Sequence, residues 1–140
     1  MSLIKWQEAF LTGIDEIDRQ HQKLFETLNT LHFLLKKGSK HEQVEEILKF
    51  LEEYTIEHFG TEEKFIKETN GKIPEELYGR HLKEHRYFID RVQHFQGIFD
   101  AYKNGEHERE AMLKLFAFLS NWLCDHILKT DKETASFLLK

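Results

Sequence analysis

Apolar residues recur three and four apart in four separate stretches of the chain, the spacing of one buried face on an α-helix. The first stretch runs from about Asp18 to Lys37, with His21, Leu24, Phe25, Leu28, Leu31, His32 and Leu35 on its inward stripe. Asp18 is expected to cap it at the front, and Gly38 to close it at the back. The second starts from Ser39-Lys40-His41-Glu42, an S-x-x-E capping box. It carries Val44, Ile47, Leu48, Leu51, Thr55, His58, Glu62 and Phe65 inward and stops at Asn70-Gly71. The third opens at Pro74, a favoured first-turn residue, with Leu77, His81, His85, Phe88, Val92, Phe95, Phe99 and Tyr102 on its stripe and Asn104-Gly105 as its stop. The fourth spans about Glu108 to Leu128, with Met112, Leu115, Leu119, Trp122 and His126 inward. Beyond it, Thr130-Asp131-Lys132-Glu133 repeats the capping-box pattern and predicts a short C-terminal helix through Phe137 and Leu138. Residues 1–17 alternate apolar and polar without helical period and read as an extended arm, packed on the body by Trp6, Phe10, Ile14 and Ile17.

Four long helices joined by short loops have one simple arrangement, an antiparallel up-down-up-down bundle. The expected fold is therefore all-α, a single domain over residues 1–140, with an N-terminal arm and a short last helix.

Composition changes this picture in two respects. With 40% hydrophobic and 32% charged residues in 140, the chain reads as a soluble globular domain. Its formal charge is −5 and its basic residues are dispersed, which argues against nucleic acid as a partner. No apolar run approaches the ~18 residues of a membrane span, and Met1-Ser2-Leu3-Ile4-Lys5-Trp6 lacks the apolar core of a signal peptide. The single cysteine, Cys124, excludes a disulfide framework and reads as a small buried hydrophobe. A cytoplasmic setting follows. The second respect is histidine. Nine in a chain of this size need a reason, and metal binding is the leading one.

Each of the four apolar stripes holds a polar, metal-capable side chain where a core residue belongs. His58 and Glu62 stand four apart, as do His81 and His85. Such pairs lie only about 40° apart around a helix and offer two ligands to one point. His21 adds one ligand from the first helix and His126 one from the fourth. Asp131 follows His126 by five, which on a continuous α-helix is about 140° off the face. A helix ending near Leu128, with Thr130 as the next cap, would let Asp131 turn back. In an up-down bundle all seven fall at one end. Buried without a partner, each would cost roughly 2–7 kcal/mol, against a net stability of about 5–15 kcal/mol. A cationic metal removes that conflict. Five imidazoles and two carboxylates exceed what one four-coordinate zinc takes, so the count suggests two ions. If both carboxylates and a solvent-derived oxygen bridge, three histidines complete one metal and two leave the other with an open position. Mixed imidazole and carboxylate ligation suits iron, and by ligand type also zinc, cobalt or manganese. The remaining histidines read otherwise: His32 lies about three turns from His21, and His41, His94 and His107 read as surface or cap residues. Of Glu62-Glu63-Lys64, only Glu62 is singled out, the rest being solvated face.

These residues resemble a known family, the hemerythrins, and in particular its single-domain bacterial members. The resemblance rests on Ile17-Asp18-Arg19-Gln20-His21, His58-Phe59-x-x-Glu62-Glu63, His81-x-x-x-His85 and Trp122-Leu123-x-x-His126-Ile127-x-x-x-Asp131, with Trp6-x-x-x-Phe10-x-x-Gly13-Ile14 as the opening arm. It implies a non-heme centre of two iron ions with an oxo or hydroxo bridge. His81, His85 and His126 would hold one iron. His21 and His58 would hold the other, which carries the open position, and Glu62 and Asp131 would bridge. It implies reversible O2 binding for storage, transport or delivery rather than catalysis. Leu24, Phe59 and Leu123 would then line the open position with apolar wall. A di-iron oxidase or peroxidase and an O2 or redox sensor are the alternatives. The Glu-x-x-His pairs of ferritin-like di-iron sites are absent, and so is the His-Glu-x-x-His of zinc hydrolases.

Overall fold

The computed structural model describes residues 5–38, 41–69, 71–101 and 108–139. Four long helices, α1 (Asp15–Lys37), α2 (His41–Glu68), α3 (Glu75–Ala101) and α4 (Glu108–Asp125), are followed by a π-helical turn (His126–Asp131) and a short helix α5 (Lys132–Leu138). Each long helix packs on the next, and α1 also packs on α4, which closes the ring. The pairing is antiparallel. His21 in the second turn of α1 meets His58 late in α2, and His126 after the end of α4 meets Glu84 early in α3. The interior is filled by the predicted stripes, among them Leu24, Leu28, Leu31, Leu48, Leu51, Phe88, Val92, Met112, Leu115 and Leu119. Phe65 is only half-buried, and its neighbour Ile66 takes the inward place. Ile66 packs with Ile73 and Leu77, and α5, the expected short last helix, lays Phe137 and Leu138 against them. No helix among the described residues is long and apolar enough to cross a membrane.

The front of the molecule departs from expectation. α1 begins at Asp15, so Asp18 is not its cap but lies inside the first turns. Its buried carboxylate reaches back instead, accepting from Thr12 N and Thr12 Oγ1 at 2.8 Å each and from Gly13 N at 3.2 Å. Reaching back from within the helix is the device of a capping box, used here one residue later. Gly13 stands at φ 90°, where a side chain is strained, and a Cβ there would meet Leu139 Cδ1 at 2.9 Å. The arm is not extended throughout either, because residues Glu8–Phe10 form a 3-10 turn. Phe10, the last residue of that turn, and Trp6 ahead of it close a triangle with Phe25 at centroid distances of 4.8–5.5 Å. Ile17 is buried as part of α1, and Ile14 is half-buried.

The back of the molecule departs as well. Thr130 caps nothing, because α4, the π turn and α5 run on as one rod with helical backbone at each junction. At α1's far end the glycine expectation holds. Gly38 adopts φ 77° and its N–H bonds to Leu34 O at 3.1 Å. The capping box at Ser39, the stop at Asn104-Gly105, Tyr102 and His107 lie outside the described residues. His94 is exposed and His32 is buried beside Phe116. His41 is not a surface residue: it is buried, stacked flat on Phe99 with centroids 4.0 Å apart. Cys124 is half-buried against the core and free.

Asp18 holds the arm through three donors at once, so its loss strands them in a buried corner. Asp18→Ala should lower the unfolding free energy by about 2–3 kcal/mol, read as a lower urea midpoint. An unchanged midpoint would mean that the arm is fastened by its aromatic rings alone.

Candidate metal centre

All seven side chains singled out in the sequence arrive at one end of the bundle interior, each 3% exposed or less. They form two overlapping groups. Glu62, His81, His85 and His126 are one, and His21, His58, Glu62 and Asp131 the other, with ligand-type atoms within 4.8 Å of one another in each. Glu62 belongs to both. Its Oε1 lies 2.6 Å from His58 Nε2, and its Oε2 lies 3.8 Å from His81 Nδ1. Asp131 straddles them likewise, with Oδ2 3.1 Å from His21 Nε2 and Oδ1 3.0 Å from His126 Nε2.

Asp131 reaches this place by a route the α-helical pattern does not contain. In the π turn the amide of Lys132 bonds to Ile127 O, five residues back. A five-residue repeat brings His126 and Asp131 over one another without ending the helix. The expected break near Leu128 is therefore replaced by a local change of pitch, a feature that recurs at functional sites.

The outer ring nitrogens have partners that the sequence reading missed. His58 Nδ1 lies 2.6 Å from Gln20 Oε1, His85 Nδ1 3.0 Å from Glu63 Oε2, and His126 Nδ1 2.6 Å from Glu84 Oε1. A carboxylate or amide oxygen accepts only, so each Nδ1 donates and Nε2 is the ring nitrogen left to face the interior. Thr130 donates to both oxygens of Glu84, at 2.8 and 3.0 Å, and locks that acceptor. Glu63, expected as solvated face, is thus part of the site. A positional signal exists in hindsight: Gln20, Glu63 and Glu84 each neighbour one of the seven in sequence.

The inner atoms behave differently. His21 Nε2, His58 Nε2, His81 Nε2, Glu62 Oε1 and both Asp131 oxygens are buried and have no aligned hydrogen bond, although several stand close together. Donor atoms that crowd without pointing at one another point at shared positions, and these residues therefore fit bound cations. Charge in the metal-free cluster is divided unequally. Burial draws His21 down, but the Asp131 and Glu62 carboxylates outweigh it and raise its pKa to about 9. The same contest raises His126 to about 10, through Asp131 and Glu84. At His85 burial wins, helped by the neighbouring imidazoles, and its pKa falls to about 2; His81 is also lowered by burial. Glu62 is held well below the carboxylate range despite its burial, because His58, Asp131 and His21 surround it.

The apolar candidates are all buried, Leu24 at 1%, Phe59 at 2% and Leu123 at 4% exposure. Phe59 lies flat on His85 with centroids 3.8 Å apart, and its ring is 6.0 Å from that of His58. Trp122, half-buried, stacks on His126 at 4.6 Å.

These shifts fix the sign of a pH dependence for the metal-free chain. Histidine in the unfolded chain titrates near 6.5. Below that pH the unfolded state takes up protons that folded His81 and His85 refuse, so stability falls as pH falls. Above it, folded His21 and His126 retain protons that the unfolded state has released, so stability falls as pH rises toward about 9 and 10. The cluster's contribution should therefore peak near pH 6.5. Urea midpoints of the metal-free protein from about pH 5 to about pH 9 check this, and a midpoint that climbs steadily to the alkaline end would contradict it.

Comparison with known proteins points the same way as the geometry. The model of the hemerythrin HHE cation binding domain matches residues 12–138. A bacteriohemerythrin of Pseudomonas paraeruginosa is 33% identical over 131 residues, covering 94% of this chain and 78% of that protein. One from Clostridium acetobutylicum is 33% identical over 131 residues, covering 91% and 95%. A myohemerythrin of Riftia pachyptila is 26% identical over 127 residues, covering 90% and 86%. The bundle, the shared cluster of histidines and carboxylates, and a family match over nearly the whole chain lead to one conclusion: the chain belongs to the hemerythrin family.

Proposed function

We propose that the chain is a di-iron oxygen-binding protein that takes up O2 reversibly at one iron, for storage, transport or delivery to oxygen-requiring enzymes in the cytoplasm. One observation carries this reading. Glu62 and Asp131 each present one oxygen to the three-histidine group and the other to the two-histidine group, the placement of two bridging carboxylates. His81, His85 and His126 would hold one iron, and His21 and His58 the other, with the open position on the second. Two ferrous ions, when bound, supply the two electrons that reversible O2 capture requires.

The chain's own residues meet the remaining demands. Gln20, Glu63 and Glu84 hold the Nδ1 protons of His58, His85 and His126, which fixes each ring's tautomer and orientation. Two of these acceptors are carboxylates, and both hold rings on the three-histidine side. The two-histidine side receives a neutral amide from Gln20 and, at His21 Nδ1, no hydrogen bond. That asymmetry matches a fully ligated ion on one side and a more electron-poor, reactive one on the other. Leu24, Phe59 and Leu123 would form the apolar wall that keeps water and stray protons from the open position. The name hemerythrin in the relatives and the lack of Glu-x-x-His pairs support binding over oxidation.

Anaerobic loading with ferrous iron followed by air should produce visible bands that fade on deoxygenation and return with O2. Irreversible oxidation with stoichiometric peroxide release would overturn the carrier reading in favour of an oxidase. The ligand roles have their own test. His58→Ala or Glu62→Ala should abolish stoichiometric loading of two irons per chain, measured by metal analysis after desalting; full loading in either variant contradicts the assignment.

A further inference from the structure

A second cluster of metal-ligating type lies at the opposite end of the bundle, where α2 and α4 begin and α3 ends. His41, the first residue of α2, is 5% exposed. Its Nδ1 faces Glu108 Oε1 at 2.5 Å. Its Nε2 faces Glu45 Oε2 at 3.3 Å and Asp100 Oδ1 at 3.7 Å. These three facing atoms lie within 4.8 Å of one another, and His41 Nε2 is buried without a hydrogen bond.

We propose that His41 Nε2, Glu45 and Asp100 form a separate site for one divalent cation of zinc-like chemistry, with Glu108 as the positioning residue that orients His41. Five features support it. Ligand atoms about 2.0–2.1 Å from a tetrahedral zinc stand about 3.3–3.4 Å apart, and His41 Nε2 stands 3.3 and 3.7 Å from its two carboxylate oxygens. Glu108 accepts a hydrogen bond from His41 Nδ1, which leaves Nε2 as the nitrogen facing the two carboxylates, the carboxylate–histidine–metal arrangement. Phe99, stacked flat on the imidazole, fixes the ring plane. Asp100 sits in the last turn of α3, where the helix dipole disfavours a negative charge, and a cation there relieves the conflict. Glu45 and Asp100 are exposed, so a bound ion has an entry path and room for water as its fourth ligand. One imidazole with two carboxylates suits zinc better than calcium or magnesium, which prefer oxygen alone. Such an ion would tie α2 to α3 directly and to α4 through Glu108, clamping the end of the bundle remote from the first cluster.

The test is a calorimetric zinc titration of the iron-loaded protein in a non-coordinating buffer, with bound zinc counted after gel filtration. Wild type should take one further zinc per chain while its visible iron spectrum stays constant. The double variant Glu45→Gln/Asp100→Asn, which changes only exposed carboxylates, should fold with unchanged helicity and lose that zinc. Glu108→Gln should keep the stoichiometry and weaken binding about ten-fold or more. Because wild type and variants are compared on the added equivalent, the result does not depend on what fills the bundle interior. Wild type that takes no further zinc, zinc uptake that erases the iron spectrum, or equal affinity in the double variant would each overturn the proposal.

Discussion

Seven ionisable side chains share one end of an apolar interior, and the constraint on everything around them is that none of their inner atoms faces water. Charge buried in this way is tolerable only when it is matched. In the metal-free cluster the matching is partial and uneven. Protons gather on His21 and His126, which pair closely with Asp131, and are refused by His81 and His85, where burial outweighs the nearby carboxylates. His21 Nε2, His58 Nε2, His81 Nε2, Glu62 Oε1 and both Asp131 oxygens are left close but unaligned. Cations at shared positions would satisfy them together, which is the sense in which a hemerythrin-family fold is organised around its site.

The scaffold follows from that demand. Each helix contributes its share from a different turn, so the four rods have to be held in a fixed register along their length. The continuous Leu and Phe interior below the cluster supplies that register. Above it, α5 packs Phe137 and Leu138 over Ile66, Ile73 and Leu77, and the arm is fastened across α1 by Asp18 and the Trp6–Phe10–Phe25 triangle. Around the cluster, Gln20, Glu63 and Glu84 hold the rings from outside. These acceptors lie on α1, α2 and α3, and all three serve histidines on another element: Gln20 on α1 holds His58 of α2, Glu63 on α2 holds His85 of α3, and Glu84 on α3 holds His126 of the π turn. The site therefore cross-braces the bundle that positions it.

The two ends of the bundle use one chemical device differently. At the interior cluster an outer carboxylate orients His126 toward a site whose side chains are all buried. At the far end Glu108 orients His41 toward two carboxylates that are themselves exposed. The first arrangement suits retention of ions and exclusion of water. The second suits an exchangeable ion at the surface.

Helical periodicity alone placed the four rods, because a face that is buried along its whole length repeats every three to four residues. The same periodicity brought His58 with Glu62 and His81 with His85, since their spacing lies within a single helix. It also put His21 and His126 on inward stripes, and loop length made the neighbours antiparallel. Tertiary structure decided what no single helix encodes. The π turn that carries Asp131 back over His126 is invisible to a pattern built on a 3.6-residue turn, and so the chain was expected to break there. Asp18 has the composition of a cap, yet it acts from inside the helix because the arm it holds is packed elsewhere. Gln20, Glu63, Glu84 and His41 have the polarity of surface residues. Only the approach of a second helix turns each of them inward, because a hydrogen-bond partner supplied from another part of the chain leaves no trace in local spacing.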